Sequence, residues 1–204
     1  GGAFWDLIPF TLQMALVIIT GHVLATSRPM RRFIQRAAGI PTTAPGAVAL
    51  VTVFALVTSW INWGFSLVFS AVLARDLARR VPRVDYRALA AASFLGLGSV
   101  WAQGLSGSAV LQMASPGTLP PQLRAIVAHG ETVPGGVIGF GHTIFLWQSL
   151  ASVAVEILVV TLVMWRATPD PASARTAADL GIDLHDEDRK STRLNSSHVK
   201  RSRM

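Results

Sequence analysis

Nine residues of this sequence have types and settings that could handle a small anion or a proton inside an apolar chain. They are Asn62, Trp63 and Gly64; Gln103, Ser106, Gly107 and Ser108; and His22 and Glu156. Asn62 and Gln103 each offer a donor and an acceptor, and the serine hydroxyls can do either. Gly64 and Gly107 allow a ligand to approach the backbone closely. No Lys or Arg lies between Ala44 and Ala74. An anion bound there would therefore be met by backbone N–H groups and neutral side chains, a dipole-based anion site. His22 and Glu156 are ionisable residues within apolar stretches, which makes them candidates for carrying a proton. The plainer readings are a carbonyl-bonded His22 near the membrane surface and a Glu156 that is neutral or paired with another helix.

No catalytic set is legible beside these residues. There is no Walker A sequence, no dinucleotide fingerprint and no G-x-S-x-G elbow. The chain has no cysteine, and its five histidines show no metal-ligand spacing. No metal, cofactor or nucleic acid is implied.

The elements that must position these residues are membrane helices. Hydrophobic residues make up 51% of the 204 residues and charged residues 14%. Mean hydropathy is +0.46. So little charge cannot cover the surface of a soluble domain of this size. The fold class expected is an all-α integral membrane protein. A first span is predicted over Leu7–Ala25. It runs into "TSRPMRRFIQRAAG", where Arg28, Arg31, Arg32 and Arg36 predict a cytoplasmic flank. Phe33, Ile34 and Ala37 share one face there, as in a short helix lying along the membrane.

Thirty-one uncharged residues follow, Ala44 to Ala74, interrupted near their centre by "WINWGF". They end in "ARDLARRVPRVDYR", with Arg75, Arg79, Arg80, Arg83 and Arg87, a second basic flank. Asp76 reads there as a surface partner of Arg79 and Arg80. If both flanks lie inside, the run must enter the membrane and return. About 46 Å of helix is too short for two spans, so a re-entrant hairpin with "INWGF" at its tip is expected. One long tilted span is the alternative. A break at that depth leaves backbone polar groups unsatisfied unless protein or a watery cavity meets them. Trp60 and Trp63 lie too deep for an interfacial belt and could wall such a cavity. A second interruption is expected within Ala88–Gly117, where Gly96, Gly98, Gly104 and Gly107 accumulate with Gln103, Ser106 and Ser108 among them. Close helix packing is its plainer reading. The loop over 118–136 carries one arginine, Arg124, which suits the outer side. A last span is predicted over His142–Trp165, followed by a polar cytoplasmic linker, 169–187.

The net charge of +7 misleads. The last seventeen residues, "DRKSTRLNSSHVKRSRM", hold six basic residues and one acid, leaving +2 for residues 1–187. Both lysines fall in this tail, and "DRKSTRLNSSH" resembles a translated sequencing adapter. The tail, 188–204, is expected to be non-native, with a native basic tail as the rival reading. The opening at Gly1, without Met or signal peptide, predicts a chain that begins inside a longer one.

The strings "LQMALVIITGHVLA", "INWGFSLVFSAVLARDLARRVPRVDYRAL" and "GLSGSAVLQMASPG" resemble the bacterial short-chain fatty acid transporters, associated with acetoacetate and butyrate uptake. The resemblance covers nearly all of residues 1–168. It implies secondary transport across the bacterial inner membrane by a multi-pass protein of two inverted repeats, each with a hairpin and a broken helix. This chain would be the N-terminal half, needing a second repeat for a complete site, and a homo-oligomer is allowed. The hairpin tip and the Gly/Ser stretch would bind the carboxylate, with Trp63, Phe65 or Trp101 against the acyl tail. A dicarboxylate or other anion carrier is an alternative. "GLSG" also matches the G-x-S-G of rhomboid intramembrane proteases, with His142 imaginable as base to Ser106. That reading leaves the hairpin and the basic flanks unexplained.

Overall fold

The computed structural model describes residues 8–115 and 137–184, with Trp5 and Ala125. The expectations for 118–136 (Ala125 apart) and for 185–204 lie outside the described residues. Among the described residues every regular element is helical: α1 (Ile8–Thr26), α2 (Arg28–Ala37), α3 (Ala44–Ile61), α4 (Trp63–Arg80), α5 (Tyr86–Gly98), α6 (Ser108–Ala114) and α7 (Trp147–Arg166).

The hairpin is α3 and α4, separated by one residue. α3 opens where Thr43 caps the N–H of Gly46 and Pro45 occupies the first turn. It closes at Asn62, whose backbone is extended (φ −155°, ψ 118°). The Asn62 N–H still donates to the Thr58 carbonyl at 2.8 Å, while its Oδ1 accepts the N–H of Phe65 at 3.1 Å. One side chain thus ends one helix and starts the next. The arms run back along each other. Ser66 Oγ donates to the Ala55 carbonyl at 2.7 Å, and Ala44, Val48 and Val51 share a buried cluster with Phe69, Leu73 and Leu77. At the open end, Arg80 Nη1 lies 3.8 Å from where a Cβ on Gly39 would stand. Both basic flanks therefore sit at the same end of the hairpin, as expected.

Together the arms outrun the uncharged stretch. Each has 18 residues, about 27 Å of helix, because α4 continues six residues past Ala74 into its basic flank. Asp76 pairs there with Arg79 at 3.6 Å.

The second interruption is also a true break. α5 stops at Gly98, a 3-10 turn covers Val100–Gln103, and α6 starts at Ser108. Gly96 is packing, not unwinding: a Cβ there would stand 2.3 Å from the Ala55 carbonyl oxygen, so its bareness lets α5 seat against both hairpin arms. The last helix begins later than its apolar run. Phe140–His142 form a 3-10 turn, and Ser149 Oγ bonds the Thr143 carbonyl at 2.8 Å, so α7 starts at Trp147.

Among the described residues, three helical stretches are long and apolar enough to cross a membrane: Ala44–Ile61, Tyr86–Ala114 with its break, and Trp147–Arg166. In α1 the described apolar part, Ala15–Ala25, is shorter. Val23 and Leu158 are exposed on α1 and α7, as suits helices that meet lipid or further protein.

Beyond α7 the chain folds back onto the turn between α4 and α5. Arg83 Nε donates to the Pro171 carbonyl at 2.7 Å, and the Arg79 guanidinium bonds the Leu184 carbonyl. Tyr86 N–H donates to the Arg175 carbonyl at 2.9 Å, and Arg175 N–H returns a bond to Asp85 Oδ2 at 3.1 Å. Ala174 and Ala177 of this strap are buried. Thr176 and Asp179 cap one another reciprocally, and those bonds from Thr176 lower the Asp179 carboxyl.

Candidate functional site

The two breaks dock on each other. Breaking a helix after Ile61 frees the carbonyls of its last turn and the N–H groups of the next helix's first turn. Leu105 N–H donates to the Trp60 carbonyl at 2.7 Å. Ser106 Oγ accepts the N–H of Trp63 at 3.1 Å. The contact is this close because Gly104 has no side chain, since a Cβ there would lie 2.2 Å from the Trp60 oxygen. Gly107 is folded in the same way against the carbonyl of Ala102.

The first four amides of α4 divide unevenly. Ser106 holds Trp63, the Asn62 side chain holds Phe65, and the Asn62 carbonyl holds Ser66. The Gly64 N–H has no hydrogen bond among the described residues, and neither has Asn62 Nδ2. Gly64 itself is filled from outside, because a Cβ would stand 2.1 Å from Val17 Cγ1 of α1. Its bareness serves the seat of α1.

Gln103 and Glu156, assigned separate tasks by their types, are partners. Gln103 Nε2 donates to Glu156 Oε2 at 2.6 Å, tying the second break to the middle of α7. His22 is exposed on α1, next to Gly21, which packs beside Gly64 and Phe65 of the hairpin tip. Ser108 is exposed at the start of α6, past the docked breaks. His142 is exposed in its 3-10 turn, and no hydrogen bond joins it to Ser106 among the described residues.

The sequence reading passed over Asp85. It is 1% exposed, caps the N–H groups of Arg87 and Ala88, and ion-pairs Arg87 at 2.6 Å. The Arg87 hydrogen bond, reinforced by the N–H groups of Arg175 and Ala88, holds its carboxyl well below the usual carboxylate range despite burial. An Asp directly before the apolar run of α5 was the available sign of an N-cap.

Fold and site define an all-helical membrane protein in which two broken helices meet. The chain belongs to the short-chain fatty acid transporter family: the family model for "Short chain fatty acid transporter" matches residues 1–202, a range that runs on through the basic tail. It is 36% identical over 203 residues to a protein of Escherichia coli (strain K12) curated under the name "Putative short-chain fatty acid transporter", covering 98% of this chain and 44% of that one. A protein of the same name from Haemophilus influenzae (strain ATCC 51907 / DSM 11121 / KW20 / Rd) is 39% identical over 145 residues, 71% of this chain and 31% of that one. The chain thus spans less than half the length of these curated relatives. No solved structure gives a significant match.

Proposed function

We propose that this chain forms one of two inverted repeats of a multi-pass secondary transporter of the bacterial inner membrane, moving short-chain fatty acids of the acetoacetate and butyrate class. The observation that carries the reading is the docking of the breaks through Leu105 N–H to Trp60 O and Trp63 N–H to Ser106 Oγ. Non-helical backbone inside apolar helices is kept where it lines a binding cavity. Asn62 Nδ2 and the Gly64 N–H supply donors for a carboxylate, Trp63 borders them, and Ser106, Gly107 and Gln103 shape the opposite side. Ser108 follows at the rim. The basic flanks face the cytoplasm, and the length found only in the relatives supplies the second repeat. Glu156 carries the coupled proton, with His22 as the alternative carrier nearer the end of α1.

The test uses a version completed to the length of the curated relatives. Asn62→Asp keeps the cap on Phe65, because Asp caps as well as Asn. It replaces the Nδ2 donors with a charge that repels a carboxylate. Uptake of labelled butyrate should be lost at unchanged protein levels in the membrane, and unaltered uptake would remove the hairpin tip from the site. Succinate competing as well as butyrate would shift the substrate class to dicarboxylates.

A further inference from the structure

Four buried side-chain polar atoms have no hydrogen-bond partner among the described residues: Ser59 Oγ, Ser70 Oγ, Thr161 Oγ1 and Trp60 Nε1. The three hydroxyls belong to helices, where rotation can bring the carbonyl one turn back within reach. Thr52 and Thr58 bond the Val48 and Phe54 carbonyls in this way. An indole N–H has no such recourse. It can only donate, and its ring is fixed by packing.

The Trp60 ring stands edge-on to Phe145, with centroids 5.9 Å apart and planes at 79°. It also packs against the cluster of Leu56, Val100 and Val153, none of which has a side-chain acceptor. Yet Trp60 is the residue whose carbonyl receives Leu105, two positions before Asn62. The unmet donor therefore belongs to a residue whose backbone joins the two breaks, and its ring lies in surroundings of low polarity where leaving it unpaired is unfavourable.

We propose that the Trp60 indole N–H is a substrate-binding donor, kept for a carboxylate oxygen, with the acyl chain lying against Phe145. The proposal rests on the reading of the docked breaks as a substrate site. A carboxylate is an acceptor with no proton of its own to place, so it complements a group that can only donate. No Lys or Arg lies in the two segments that form the junction, 60–66 and 100–108, which leaves neutral N–H donors to hold the charge. Phe145 is the neighbour best placed to move aside. It comes from the turn before α7 and is itself 47% exposed.

The experiment replaces Trp60 by Phe in the completed protein and measures KM for acetate, butyrate and hexanoate. A lost charge-assisted bond should raise all three by about tenfold or more, and by similar factors, because the head group is common to them. Unchanged KM values overturn the proposal. So does a loss that grows with chain length, which would make Trp60 a contact for the tail. Should Trp60→Phe fail to reach the membrane, benzothienylalanine at the same position keeps the ring shape and lacks the N–H, and the same outcomes apply. Asn62→Asp is run beside it. If that variant loses uptake while the Trp60 replacement leaves KM unchanged, only this inference falls; if neither has an effect, the site falls with it.

Discussion

The N–H of Leu105 meets the carbonyl oxygen of Trp60 at 2.7 Å, so the broken end of one helix is completed by the broken middle of another. Neither interruption is sustainable in hydrocarbon alone. Each supplies the hydrogen-bonding groups that the other has lost, which makes the pair a single unit held in place by Gly104.

Gly104→Ala should consequently be the most damaging of the small substitutions. Its Cβ would meet main-chain atoms 2.2 Å away that cannot rotate aside. Forced overpacking costs about 1–3 kcal/mol. The expected result is a clear fall in Tm of the detergent-purified protein. Gly98→Ala, with nothing within 4 Å of the new Cβ, is the matched control and should leave Tm nearly unchanged.

Ser106→Ala removes the acceptor for the Trp63 N–H. An unsatisfied buried donor costs about 1–3 kcal/mol. Ser106→Thr retains the oxygen and should recover most of the lost stability. Equal Tm values for the alanine and threonine variants would show that this bond does not hold the tip.

Glu156→Gln preserves a partner for Gln103 while removing the titratable group. If Glu156 carries the coupled proton, uptake of butyrate should lose its dependence on the pH gradient while exchange of labelled for unlabelled butyrate continues. A gradient response that survives the change would assign coupling elsewhere. Glu156→Leu, which strands Gln103, should lower Tm as well.

Much of this was legible in the sequence, and the reasons are specific. Asn62 between apolar runs, with Gly64 beside it, marked the hairpin tip, because a polar residue at mid-run has no simpler explanation than a break or a partner. The clustering of Gly104 and Gly107 with Ser106 marked the second break. That the two breaks close on each other was not legible, since periodicity carries no information about which distant segments touch. Gly96 was misleading in type: it read as loosened backbone, and it proves to be filled by the neighbouring hairpin arms. The extent of α4 was hidden for another reason. The sequence shows where charge begins, and a helix can carry its charged last turns beyond that point.

Asp85 anchors the strap, and its depressed pKa fixes the direction of the pH effect. Its carboxylate contributes stability that is present above the ordinary value of about 3.9 and is lost as pH falls from there toward the lowered folded value. Cleavage by trypsin after Arg175 should therefore be slow and uniform between about pH 6 and 8. Asp85→Asn, which gives up the ion pair with Arg87, should speed cleavage across that whole range. Equal cleavage rates in the two proteins would show that Asp85 does not hold the strap down.

The hairpin is fastened at both ends. Its tip is held by Leu105 and Ser106, and at its open end the strap holds Arg79 and, in the turn beyond, Arg83. A flap fastened at one end can swing as a gate, but one fastened at both can only travel with whatever holds it. Any motion of the hairpin that keeps these bonds must carry the second break and the strap with it as one block.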